Sequence, residues 1–226
     1  MSGITDPGSR LTIDREGSHH LLDVVRIQRG EQVLVFDGLG SEAPATLTDV
    51  EDGVAVLTID GPPRSASPTH PLHLVLAVLK GPAMDDAIRM ATEAGATCIR
   101  PFLASRSIAR GERVDRWERV ASSAAQQCGR GDVPEVLAPT DLAGALAGLS
   151  GCELFVAMPG AARAEPAHGA AAVVVGPEGG LTEVEVRTIL AAGGRPVGLG
   201  RFVLRADTAA AVAVALVAPN SDQETG

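Results

Sequence analysis

The chain has 226 residues, 45% hydrophobic and 21% charged, with a formal net charge of −9. That is enough apolar material for one or two globular cores and excludes a disordered chain. The acidic balance argues against generic nucleic-acid affinity, so any RNA contact must rest on a local basic patch.

No apolar run approaches the ~18 residues of a membrane span; the longest candidate, Ala209–Ala218, is too short. The N-terminus lacks a charged-then-apolar signal pattern, so a cytoplasmic location is expected. Cys98, Cys128 and Cys152 are odd in number and widely spaced. They form no C-x-x-C site and no disulfide framework, which fits a reducing compartment, and no metal site is expected.

In chain order, His19–Ile27 carries Leu21, Leu22, Val24 and Val25 at helical spacing. Three strand-like runs follow, Gln32–Phe36, Ala43–Val50 and Val54–Ile59, separated by Asp37-Gly38, Gly40 and Asp52-Gly53. Short strands with tight turns predict a small barrel. His19 and His20 read as a solvated helix start rather than metal ligands, because no partner cluster is spaced for them. Gly61-Pro62-Pro63 through Pro71 is a Pro- and Ser-rich linker, which places the boundary near 66–71, with a first domain over 1–68 and a second over 69–219. Residues 220–226 read as a disordered tail.

Beyond the linker, strands and helices alternate. Leu72–Leu79 reads as a buried strand, Ala83–Ala94 as a helix ending at Gly95, and Thr97–Phe102 as a strand. Arg113–Cys128 and Thr140–Leu149 read as helices, and Leu154–Met158 as a strand. This order predicts an α/β domain, a parallel sheet with helices on both faces. The chain is organised around its last part, Ala171–Leu216. A buried strand, Ala171–Val175, stops at Gly176-Pro177, and Gly179-Gly180 allows a sharp bend and close approach to a ligand. A capping box over Thr182–Glu185 starts a helix. Pro196–Leu199, Gly200 and a helix from about Asp207 repeat the pattern. Strand, glycine loop, helix is the arrangement of a small-molecule site at the carboxyl end of a parallel sheet. It is not G-x-G-x-x-G, and no G-K-[ST] follows, so neither a dinucleotide site nor a P-loop is indicated.

Taken together, GPEGGLTEVEV and GLGRFVLRADTAAAVA resemble the last two motifs of the RsmE-type 16S rRNA (uracil-N3-)-methyltransferases of the SPOUT superfamily. Leu199, Gly200, Leu204, Arg205, Thr208 and Ala209 fall on the pattern, with Asp207 where the family usually has Glu. The first domain carries the family's pattern at His20, Val25, Arg26, Gly30, Val33, Val35, Phe36, Asp37, Gly38 and Gly40. The middle of the chain matches at Pro101, Arg106, Ser107, Arg116-Trp117, Ala124, Gln127, Arg130 and Pro134. Departures are Met90 in place of the usual Lys, Ser105 in place of an acid, and Gln126 where Glu is common.

The resemblance implies a PUA-like or OB-like barrel that docks RNA, followed by a SPOUT domain closed by a trefoil knot. It implies methylation of uridine 1498 of 16S rRNA at N3, with S-adenosylmethionine as methyl donor and the 30S subunit as context. The cofactor site would comprise Met158, Gly176, Gly179, Gly180, Leu199, Gly200, Leu204 and Thr208. Arg205 and Arg130 would stabilise charge developing on the uracil oxygens, and Glu178 would accept or orient the N3 proton. Arg26, Arg106, Arg110 and Arg130 would contact RNA. They include part of the most basic stretch, in which Arg100, Arg106, Arg110 and Arg130 have no acid at helical spacing. The helix from Asp207 has no polar residue from Ala209 to Ala218, which predicts burial on every side and hence a homodimer; cover by helix 83–94 or 182–192 is the competing reading. A non-catalytic RNA-binding protein and a nucleotide-dependent enzyme on an ordinary doubly wound sheet are the alternative functions.

Overall fold

The computed structural model describes residues 6–38, 40–65, 68, 70–107 and 113–219. The chain divides into two compact units, Met1–Ser67 with Gly129–Asp132, and Pro68–Cys128 with Val133–Gly226.

The first unit is an antiparallel sheet of β1 (Arg10–Thr12), β2 (Gln32–Phe36), β3 (Ser41–Glu51), β4 (Val54–Ile59) and β5 (Arg64–Ser65). The strand order is β1-β4-β3-β2, with β5 added to β3. Asp52 and Gly53 both take positive φ, 50° and 77°, the backbone a two-residue hairpin needs to match strand twist. Alternation along β3 and β4 turns Ala43, Ala45, Leu47, Ala55, Leu57 and Ile59 into the core. The helical segment starts earlier than its apolar residues suggest. Asp14 caps α1 (Arg15–His19) by accepting from the Gly17 amide at 2.8 Å. The chain then widens into a π-helical turn, His20–Val25, that ends on left-handed Arg26. Buried Ser18 ties this segment to the sheet, its Oγ accepting from the Ala55 amide at 3.0 Å. The chain returns to this unit at Gly129–Asp132, where the Gly40 amide donates to the Gly131 carbonyl at 3.2 Å.

The second unit is built on a six-stranded sheet of β6 (Leu72–Ala77), β7 (Cys98–Phe102), β8 (Glu135–Val136), β9 (Glu153–Ala157), β10 (Ala171–Val175) and β11 (Arg195–Val197). The order is β11-β9-β10-β6-β7-β8, and every pairing is parallel. β10 is buried along its whole length, which is why it reads as an unbroken apolar run rather than an alternating one. Its residues still alternate between two cores. Ala171, Val173 and Val175 face α2 (Pro82–Glu93), α3 (Val114–Cys128) and α6 (Ala206–Val217). Ala172 and Val174 face α4 (Leu142–Leu146) and α5 (Glu183–Ala191). Helices therefore cover both faces, as the β/α alternation predicts. The expected total burial of α6 is met only in part. α2 lies against it, and Ala209, Ala210, Ala213, Val214 and Val217 are buried within one chain. Thr208 and Ala215 remain exposed.

Candidate active site

Three loops meet at the carboxyl ends of β9, β10 and β11. After β10 the chain turns through Gly176–Leu181, closed by the Gly180 amide donating to the Pro177 carbonyl at 2.8 Å. Each glycine has its own steric reason. A Cβ on Gly176 would sit 2.9 Å from Leu181 Cγ, so the glycine lets Leu181 fold back over the loop. A Cβ on Gly179 would sit 3.2 Å from Arg106 Cβ. Gly180 has φ +72°, which a branched residue adopts only under strain. Within the protein, any cost of a side chain there lies in the backbone, since the nearest protein atom to an added Cβ, Arg106 Nη1, is 3.9 Å away.

The loop is fastened from two sides. Thr182 caps α5 in a full capping box: its Oγ1 accepts from the Glu185 amide, and Glu185 Oε2 accepts from the Thr182 amide at 2.6 Å. Glu185 does more than close the box. Its other carboxylate oxygen accepts from the Ser105 amide at 2.7 Å. Burial pushes the Glu185 carboxyl up, but the hydrogen bonds from Ser105 and Thr182 outweigh it and hold the group below the usual glutamate value. Next to Ser105, Arg106 Nη1 donates to the Gly179 carbonyl at 3.0 Å. The segment after β7 is thus clamped to the glycine loop. The capping-box pattern locates Glu185 in the sequence; its bond to Ser105, eighty residues away, leaves no local signal.

The loop after β11 is held where two backbones cross. The Gly198 amide donates to the Ala162 carbonyl at 2.6 Å, and a Cβ on Gly198 would come within 2.2 Å of the Ala161 oxygen. Only glycine permits that approach. From there the chain runs through Gly200, Phe202, Val203 and Leu204 to Arg205, the N-cap of α6. Asp207 is buried in the first turn, its Oδ2 3.3 Å from Arg205 Nη2 and its Oδ1 accepting from the Thr208 amide at 2.7 Å. The shorter acid therefore still meets Arg205.

These loops enclose a cavity of about 590 Å3. Met158, Gly176, Glu178, Gly180, Leu199, Gly200, Leu204 and Arg205 all line it. Gly179 and Thr208 do not; Gly179 makes room for Arg106, and the Thr208 hydroxyl is 3.2 Å from Asp207 Oδ1. The lining is mostly apolar side chain and open main chain. Exposed Glu178 and Arg205, whose side chain is 80% exposed, are its charged groups.

The predicted RNA contacts are distributed differently. Arg26 is exposed in the first unit. Arg130 also belongs to that unit, and, against the expectation that it lacks a nearby acid, it pairs with Asp132 at 2.7 Å with both side chains largely buried. Arg106 is exposed beside the glycine loop. Arg110 lies outside the described residues. Arg100 also has a structural role: its Nε donates to the Ala145 carbonyl at 2.7 Å, satisfying the end of α4. Arg116 pairs with Asp85 on α2, and Arg119 donates to the Asp115 carbonyl rather than to its carboxylate. Among the described residues no group of three or more His, Cys, Asp or Glu could hold a metal ion, and no helix is long and apolar enough to cross a membrane.

A parallel α/β unit with this loop-bound cavity, joined to a small antiparallel β unit, matches two family models. Residues 65–218 match an RNA methyltransferase domain, and residues 13–60 match an RNA methyltransferase PUA domain. Among curated relatives, ribosomal RNA small subunit methyltransferase E of Synechocystis is 33% identical, covering 92% of this chain and 72% of its own. The protein of the same name from Mycobacterium bovis is 32% identical over 95% of this chain and 88% of its own. The crystal structure of a ribosomal RNA small subunit methyltransferase E from Neisseria gonorrhoeae, bound to S-adenosyl methionine, is 30% identical, with a TM-score of 0.83 over 95% of this chain and 93% of its own. A Legionella pneumophila protein in complex with the cofactor SAM is 27% identical, with a TM-score of 0.77 over 94% and 92%. The chain belongs to the family of ribosomal RNA small subunit methyltransferase E.

Proposed function

We propose that this chain transfers a methyl group from S-adenosylmethionine to N3 of uridine 1498 in 16S rRNA, acting in the cytoplasm on the 30S subunit. The observation that carries the proposal is the cavity at the carboxyl ends of β9, β10 and β11. Its size suits a nucleoside-sized ligand. Its apolar walls and open main-chain groups fit a cofactor that has an adenine ring and no phosphate, so a lysine-bearing P-loop is not required. Met158, Gly176, Gly180, Leu199, Gly200 and Leu204 would hold the adenosine part. When bound, S-adenosylmethionine supplies a methyl on a sulfonium, whose departure needs no acid.

The chain's own residues then serve the acceptor. Uracil N3 must lose its proton, and charge develops on O2 and O4. Arg205, fixed at the start of α6 and exposed at the cavity, is the group that stabilises that charge. Glu178, exposed on the same cavity wall, accepts or orients the proton. Arg130, already balanced by Asp132, is assigned to RNA contact together with Arg26, Arg106 and Arg110 rather than to charge stabilisation. The knot implied by the resemblance would lie where residues 198–205 pass residues 161–164, the crossing that Gly198 makes possible.

We also propose a homodimer through the outward face of α6, where Thr208, Ala211, Val212, Ala215 and Leu216 are exposed or half-buried. Small apolar side chains allow close helix approach. Calorimetry with S-adenosylmethionine tests the cofactor reading first. One site per chain is expected, and no heat of binding would leave the chain a non-catalytic RNA-binding protein.

A further inference from the structure

The chain has five aromatic residues, Phe36, Phe102, Trp117, Phe155 and Phe202. Phe102, Phe155 and Trp117 are buried at 0%, 3% and 4% exposure, and Phe36 is half-buried. Phe202 is 76% exposed. It stands on the wall of the cavity described above. Its loop is short and fixed at both ends, by the backbone crossing at Gly198 and by the first turn of α6. Arg201 lies over the ring, its Cζ 5.6 Å from the centroid, and Arg205 follows three residues later. A ring kept out of the core and backed by a cation has the features of a stacking platform.

We infer that Phe202 stacks the acceptor base, an unpaired pyrimidine turned out of its strand, and that Arg201 binds a phosphate beside it, while Arg205 keeps its place at the base. The inference rests on the methyl-transfer reading and adds its acceptor half. A base inside a structured RNA must leave its stack before its Watson–Crick edge can be reached, and the lost stacking has to be replaced. A single exposed aromatic at the mouth of the cavity does this without regard to which base is presented. An arginine beside the ring suits phosphate, through paired N–H donors. It suits an apolar protein face poorly, and this favours RNA over a second copy of the chain as the occupant.

Four proteins test the inference: wild type, Phe202→Ala, Phe202→Leu and Phe202→Trp. S-adenosylmethionine affinity, measured by calorimetry, should agree within about twofold across all four, because the ring serves the acceptor. With unmethylated 30S subunits, Phe202→Ala and Phe202→Leu should each lose roughly tenfold or more in kcat/KM, the loss expected for one base stack. Phe202→Trp should stay within about threefold of wild type. Tryptophan emission from the Phe202→Trp protein should be quenched by single-stranded oligouridylate, while wild type, whose Trp117 is buried, should not respond. Wild-type activity in Phe202→Leu would reduce the ring to apolar contact and overturn the inference. So would a parallel loss of cofactor affinity, or a fall in sedimenting mass in Phe202→Ala, which would give the ring to the cofactor or to a second copy. Absence of cofactor binding in wild type, with quenching retained, would instead sink the methyl-transfer reading and keep the platform.

Discussion

Arg205 and Glu185 have different places at the site, and the role of Arg205 in the proposed reaction follows from its exposure. Arg205 is exposed at the cavity, 3.3 Å from Asp207, and the charge of so exposed a group remains available to a ligand. Arg205→Ala should lower the rate of methyl transfer by about 100-fold or more, as loss of an oxyanion-stabilising donor does. S-adenosylmethionine affinity should change little; an equal loss in both, seen by single-turnover kinetics and calorimetry, would make Arg205 a cofactor ligand instead. Glu185 acts by position. Its carboxyl lies below the ordinary value in the folded protein, so its stabilising effect is complete above the unfolded-state value near 4.5 and is lost as pH falls through the folded value. Glu185→Gln should cost about 1–3 kcal/mol at neutral pH. The gap in melting temperature between the two proteins should close on acidification below the unfolded-state value. A constant gap across that range would show that the charge does not matter. Sequence spacing is enough to find the capping box and the glycine loop, because both are local. It is blind to Ser105, to the burial of Asp207 and to the pairing of Arg130 with Asp132, each of which is fixed by side-chain packing.

The elements divide along similar lines. Long or strongly patterned segments, such as β4, β10, α2 and α3, are legible from apolar runs and turns. The strands β1, β5 and β8 are only two or three residues long, too short for any period to register. The helical segment of the first unit is displaced because Asp14 caps it five residues before His19. At Gly198 the crossing of two backbones leaves no room for a side chain. Gly198→Ala should cost at least the 1–3 kcal/mol typical of overpacking, seen as a lower denaturant midpoint; an unchanged midpoint would show that the crossing opens freely. For α6 the apolar stretch has two explanations, and the structure separates them by residue. Ala213 is fully buried against the second unit's own core, so a charge there would test folding rather than assembly. Ala215 is exposed. Ala215→Glu should convert the proposed dimer to monomer with an unchanged melting profile, and a wild type that sediments as a monomer near 23.1 kDa would remove the dimer altogether.

At the scale of the molecule, the acidic chain keeps its site chemistry local. The net charge of −9 excludes a protein that grips RNA by overall charge, and many arginines that read as a basic stretch are engaged by Asp85, Asp132 or helix-end carbonyls. Two units with separate cores match two family models, the antiparallel unit an RNA methyltransferase PUA domain and the parallel one an RNA methyltransferase domain. RNA docking by the first is part of the proposal. β/α order and hairpin spacing make both architectures readable. The reaction itself is not readable from composition, and comes from the paired loop motifs and the cavity they enclose. The most direct measurement is to incubate the protein with isotopically labelled S-adenosylmethionine and 30S subunits lacking the modification, then map the label by mass spectrometry. One methyl group per subunit, on N3 of uridine 1498, is predicted. A label on a ribose hydroxyl, on another base, or on no nucleotide at all would contradict the account.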